Sequence, residues 1–218
     1  MSVPSIDEQV AEFNVGFAAQ IGPDLDAVFA HEQADLVEAG VPASVVAVGS
    51  DLPDADLLDP SGAPVALRDA VSGAPAVIVF YRGSWCPYCN LTLRHYQLEL
   101  LPKLEAAGVR LVAISPQTPE GSELSIANGE LAFPVLSDAG NVLAQQLGIL
   151  TSPSAEAIDA HTALGFAVAD SNADASAAIP FPTVLVVDAS GSIRFVDVHV
   201  DYTTRTEVDD IVAAVAAL

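Results

Sequence analysis

Positive charge is scarce in this chain: seven Lys plus Arg stand against 29 Asp plus Glu, a formal net charge of −22. Lysine is nearly missing, with Lys103 alone. A surface this acidic repels phosphate backbones and anionic headgroups, so neither a nucleic acid nor a membrane is expected as a partner. High-salt adaptation is one explanation of the imbalance; a GC-rich coding sequence under ordinary solubility pressure is the other. No apolar run approaches the roughly 18 residues of a membrane span. The opening MSVPSIDEQV has neither a basic start nor an apolar stretch and does not read as a signal peptide, so a cytoplasmic location is expected. Cysteine is almost absent too, and one local bridge between two cysteines would staple little of a large core, which excludes a disulfide scaffold. Two cysteines and four scattered histidines fall short of the roughly four organised ligands of a zinc site. No metal and no cofactor is expected.

What is present is ample core material, with 51% of residues apolar. Ser5-Ile6-Asp7-Glu8 has capping-box form, and Val10, Phe13 and Phe17 follow at helical spacing. Gly22-Pro23 punctuates the chain before a second helical stripe of Leu25, Val28, Phe29, Glu32 and Leu36 that ends at Gly40. Residues 1–44 therefore read as a helical extension, packed on the main domain or on a second subunit, and residues 45–218 as the domain itself. Leu57 to Val65 reads as a hairpin turning at Ser61-Gly62. The run AVIVFY (76–81) is a buried central strand, followed by the cysteine pair and a helix that Pro102 kinks or shortens. A strand over 109–115 completes a β-α-β unit. A short strand at 133–136 and a helix near 141–147 come next, and residues 151–178 are only weakly periodic. Strands at 183–188 and 192–200 and a helix over 207–218 close the chain. This order predicts an α/β, thioredoxin-like fold, with a central mixed sheet flanked by helices and an N-terminal helical extension.

The chemistry lies in Trp85-Cys86-Pro87-Tyr88-Cys89. A Cys-x-x-Cys opening a helix faces unpaired backbone N–H groups and the positive end of the helix dipole, both of which favour thiolate, the nucleophilic form. Pro87 fits the first helical turn. Arg82 before the pair, and Arg94 with His95 after it, suggest a local concentration of positive charge in a strongly acidic chain. The i, i+3 spacing lets two sulfurs bond one another, one attacking and the other resolving. Inert core cysteines and a redox fold that has lost activity are the competing readings; the position at a helix start, beside arginines, argues against burial.

The run VIVFYRGSWCPYCN (77–90) with LVAISPQT (111–118) resembles the peroxiredoxin-like family, the alkyl hydroperoxide reductase and thiol-specific antioxidant branch of the thioredoxin superfamily. The similarity continues through LAFPVLSD (131–138), Pro182-Thr183, GSIRF (191–195) and DYTTR (201–205). The resemblance implies Cys86 and Cys89 as the redox pair, and Pro182, before the Thr183 strand, as a cis-proline facing them. Two departures stand out. With Cys89 at the family's peroxidatic place, the family's proline is replaced by Arg82, its threonine by Cys86, and its later-strand arginine by Pro182. The strand before the motif also lacks the buried carboxylate of thioredoxins, leaving His95 as a candidate proton acceptor. The implied activity is a thiol-dependent peroxide reductase cycling a Cys86–Cys89 disulfide, with Arg82 standing in for the missing peroxide-polarising arginine. The alternatives are a dithiol–disulfide oxidoreductase in which Cys86 attacks, and a non-enzymatic redox sensor. Expected partners are a peroxide or disulfide substrate, a thioredoxin- or glutathione-type electron donor, and a second copy in a possible homodimer.

Overall fold

The computed structural model describes residues 3–218. Helix α1 (Ile6–Ile21) begins with the expected capping box, the Ser5 hydroxyl and the Glu8 carboxylate each accepting from the other residue's backbone N–H. Helix α2 (Pro23–Ala39) follows after Gly22, whose φ of 82° favours glycine. The hairpin is formed by β1 (Asp56–Leu58) and β2 (Pro64–Ala66), then α3 (Leu67–Val71) and the central strand β3 (Ala76–Phe80). Helix α4 (Pro87–His95) widens into a π-type turn over Tyr96–Leu100 and resumes as α5 (Leu101–Ala106). Pro102 therefore does not end the helix: it sits in the first turn after the wide segment, where a missing N–H costs little.

Strand β4 (Arg110–Ser115) leads into α6 (Pro119–Gly129), a helix not anticipated from the sequence, where Ser, Gly and Asn dilute the apolar stripe. Then come β5 (Val135–Ser137), α7 (Val142–Gln146), β6 (Leu150–Thr151), α8 (Ala155–Ala163) and α9 (Val168–Ser171). The chain finishes with β7 (Ile179–Pro180), β8 (Thr183–Val187), β9 (Ile193–Val198) and α10 (Val208–Ala216). The main sheet has seven strands in the order β2-β1-β5-β4-β3-β8-β9, with β3, β4 and β5 parallel and β8 antiparallel to β3.

Strand alternation assigns each side chain to a layer. Val77 and Val79 of β3, Leu111 and Ala113 of β4, and Val184 and Val186 of β8 face the layer of α1, α4 and α10. Their neighbours Ile78, Phe80, Val112, Ile114, Leu185 and Val187 face α3 and α7. The first layer contains both cysteines, so the reactive helix is seated on the sheet by ordinary core packing. Helix α1 packs on α4 and α2 on α8. The Glu207 carboxylate accepts from the N–H groups of Ile6 (3.2 Å) and Asp7 (2.9 Å), tying the start of α1 to the C-terminal region. The extension thus packs on the main domain of its own chain.

Candidate active site

Strand β3 is prolonged by the Tyr81 N–H bonded to Ile114 O at 3.0 Å, and the chain then turns sharply through Arg82–Trp85 into α4. Gly83 has φ 155°, and a Cβ there would lie 2.4 Å from Trp85 Nε1. Replacing Gly83 by alanine should therefore lower stability by about 1–3 kcal/mol, measured as a shift of the urea midpoint. An unchanged midpoint would mean that the turn is looser than its geometry indicates. Gln117, just past β4, braces the same turn. Its Oε1 accepts from the Ser84 N–H (2.8 Å) and its Nε2 donates to Ser84 Oγ (3.0 Å), while Asn90 Nδ2 donates to Ser84 O (2.7 Å).

Cys86 caps α4 and Cys89 lies one turn in, both as thiols. Contrary to the expectation that a helix start beside arginines would be exposed, both are 0% exposed. The helix mouth is roofed by α1, α2 and the loop carrying Tyr202, so its dipole acts in a dry environment. Arg205 reaches Cys89, its Nη2 donating to Sγ at 3.2 Å, while Nη1 bonds the carbonyls of Tyr202 and Thr204, each at 2.6 Å. Burial by itself raises the Cys89 pKa; the Cys86 thiol donating to it, the Arg205 charge, the Arg82 backbone N–H and the Arg82 charge outweigh this and hold it near 5. Cys86 moves the other way, raised by burial, by donating to Cys89 and by the Cys89 charge. The pair is thus one thiolate solvated by its neighbour's S–H, with the charge on Cys89.

The other residues singled out in the sequence divide into two groups. Arg82, Trp85, Pro182 and Thr183 lie around the sulfurs. The Arg82 guanidinium sits between two aromatic faces, 4.9 Å from the Trp85 ring centre and 4.0 Å from that of Tyr202. Thr183 opens β8, its hydroxyl donating to Phe181 O (2.9 Å). Pro182 is trans, not cis. The chain runs extended through it, with Phe181 N–H bonded to Ile149 O (2.8 Å) and Pro182 O accepting from His199 N–H (2.9 Å). His95 and Arg94 are not part of the site. His95 lies nine residues along the helix and pairs through Nδ1 with Gln9 Nε2 of α1 at 2.9 Å, so it is no proton acceptor for either sulfur. Arg94 bonds Gly129 O (2.9 Å) and pairs with Glu130 across to α6.

Two parts of the site gave no sequence signal. Arg205 belongs to a loop far along the chain, beyond any spacing pattern around the cysteines. His161, Leu164 and Phe166, from the weakly periodic stretch, form one wall of a cavity of about 240 Å³ in front of Cys86. His161 is 4% exposed and stacks near Trp85, Phe29 and Phe166, with ring centres 4.8–5.5 Å apart. Burial, with the Arg82 charge adding to it, lowers its pKa to about 4. A histidine held neutral in the fold favours the folded state fully above its ordinary pKa, and that advantage is lost as pH falls from about 6.5 toward 4. The His161→Phe variant should therefore lose less Tm than the parent protein over that interval; parallel Tm–pH curves would count against this.

A mixed sheet flanked by helices, with Cys-x-x-Cys opening the helix after a central strand, defines the thioredoxin-like class. Within that class the chain belongs to the AhpC/TSA family, whose model matches residues 48–196. It is 31% identical over 104 residues to the chloroplastic peroxiredoxin Q of Sedum lineare, a match covering 48% of this chain and 55% of that protein. The chain thus spans little more than half of that relative. Among solved structures it is similar to peroxidoxin BcpB from Mycobacterium tuberculosis, with 22% identity, 78% of this chain and 97% of that one covered, and a TM-score of 0.59. It is also similar to a peroxiredoxin-like protein from Aquifex aeolicus, with 16% identity, 81% and 90% coverage, and a TM-score of 0.62. The α1 and α2 roof and Arg205 lie outside the span the family model matches.

Proposed function

We propose that this protein is a thiol-dependent peroxide reductase in which Cys89 attacks and Cys86 resolves. The observation that carries the reading is the Arg205 guanidinium 3.2 Å from Cys89 Sγ, which gives the inner sulfur the charge and the outer one the proton. The Cys89 thiolate attacks the terminal peroxide oxygen, and the O–O bond breaks. With one proton taken up, the products are a Cys89 sulfenic acid and an alcohol or water. Arg205 is aimed at the place where negative charge sits before the attack and where it moves during it. The Cys86 sulfur then attacks the sulfenic sulfur, the S–S bond forms and water leaves.

Family membership supports peroxide as the oxidant. Dithiol exchange with large protein disulfides fits less well, because neither sulfur reaches the surface. A reducing compartment, the cytoplasm on this reading, would keep the pair as thiols; cell fractionation tests that placement. The activity is tested by following hydrogen peroxide loss with excess dithiothreitol at pH 7. Turnover well above that of free cysteine is expected, and a rate no faster than free cysteine would discard the proposal.

A further inference from the structure

Resting on the peroxide-reductase reading, we infer that the cavity in front of Cys86 is the docking site for the reductant, a small thiol that carries a carboxylate, rather than for a reducing protein. The two sulfurs open onto different spaces. Cys89 borders a cavity of about 10 Å³ shared with Arg205, Thr183 and His199, on the scale of a single water. Cys86 borders the cavity of about 240 Å³, whose walls come from α1, α2, α8 and the loop of Tyr202. That larger space admits a peptide-sized thiol but not the surface of a folded partner, because Cys86 is fully buried at its base.

The cavity also carries an uncommitted charge. Arg82 is 5% exposed, and among the described residues its guanidinium makes no hydrogen bond and no ion pair within 4.0 Å. Glu32 borders a small neighbouring cavity with Arg82 but falls outside ion-pair distance, and its Oε1 accepts from the Ser154 N–H at 2.9 Å. A buried cation held only by aromatic faces has N–H donors available for an anion entering the cavity. The remaining wall, Phe17, Phe29 and Phe166 with the neutral His161, suits an uncharged body behind that anion.

The chemistry runs in the same direction. In the oxidised pair, the thiolate of the bound reductant attacks Cys86 Sγ, the sulfur that borders the cavity. The Cys86–Cys89 bond breaks, and the electron pair leaves on Cys89, where Arg205 receives it. The low pKa of that thiol makes it the better leaving group. A second reductant molecule attacks the mixed disulfide, releasing the oxidised reductant and regenerating the Cys86 thiol. Two reductant thiols are oxidised for each protein disulfide reduced.

The test uses protein oxidised to the disulfide with diamide, so it does not depend on peroxide turnover. Reduction is followed by alkylation and mass spectrometry, with glutathione, its dimethyl ester and a bacterial thioredoxin as reductants. At equal thiolate concentration glutathione should act at least about tenfold faster than the ester, the effect of one hydrogen bond to a charged group. The protein's net charge of −22 would by itself favour the ester, so the acidic surface cannot imitate this result. In Arg82→Gln the ratio should fall toward one, and Arg82→Lys should restore most of it. S-methylglutathione should slow reduction by glutathione without slowing the first oxidation of the thiols by hydrogen peroxide. Equal rates for acid and ester, faster reduction by thioredoxin than by glutathione at equal concentration, or competition of S-methylglutathione with peroxide would each overturn the inference. Loss of peroxide turnover with the acid–ester ratio intact would instead remove the peroxidase reading alone.

Discussion

The Cys89→Ser variant is expected to consume peroxide no faster than buffer, whereas Cys86→Ser should still be oxidised once per chain. The asymmetry follows from where the charge lies: Arg205, the Arg82 N–H and the Cys86 S–H all converge on Cys89, and nothing comparable converges on Cys86. A serine hydroxyl at position 86 still donates to the neighbouring thiolate, so the first chemical step survives while disulfide closure does not. Mass spectrometry should then find a trapped sulfenic acid on Cys89, captured by dimedone, after one equivalent of hydrogen peroxide. The opposite pattern, with Cys86→Ser inert and Cys89→Ser oxidised once, would make the outer sulfur the nucleophile.

Replacing Arg205 by methionine should move the pH midpoint of Cys89 alkylation up from about 5 by about one to two units, because a hydrogen bond to a charged group contributes roughly 1.5–3 kcal/mol and each unit corresponds to about 1.4 kcal/mol. Labelling at pH 5.5 falls steeply, while labelling at pH 8 changes little. Stability follows with a definite sign. A thiol that ionises more readily folded than unfolded stabilises the fold fully above the ordinary thiol pKa and loses that contribution as pH falls toward 5. The Arg205→Met protein should show a shallower loss of stability over that interval. An unmoved alkylation midpoint would show that the other donors suffice without this guanidinium.

Much of this architecture is written locally in the chain. The capping box at Ser5, the unbroken β3 strand and the Cys-x-x-Cys at a helix start are short-range patterns, and each folds where its residues predict. The hairpin with its turn at Ser61-Gly62 is legible for the same reason. What was not legible depends on contacts distant in sequence. Arg205 bonds a sulfur 116 positions away, and no spacing rule connects them. Burial of the pair depends on α1 and α2 folding back over α4, which amphipathic stripes alone do not reveal. Arg94 and His95 were misleading because adjacency in sequence is not proximity: a helix carries successive residues to different faces, and both point toward neighbouring helices. Alpha-helix α6 escaped notice because Gly121, Ser122 and Ser125 are its buried positions, small residues where a pattern reader looks for large ones.

The wide turn at Tyr96–Leu100 has a consequence for how the helix must be inherited and engineered. A π-type turn holds one more residue than a regular turn, so the stretch beyond it is out of phase with the stretch before it. That offset lets the Tyr96 hydroxyl meet Thr206 O at 2.6 Å, next to Arg205 in the chain. Deleting any one residue between His95 and Leu101 would restore a regular spiral and turn Leu101 and Leu104 away from their present neighbours. The segment therefore tolerates substitution more readily than a change in length.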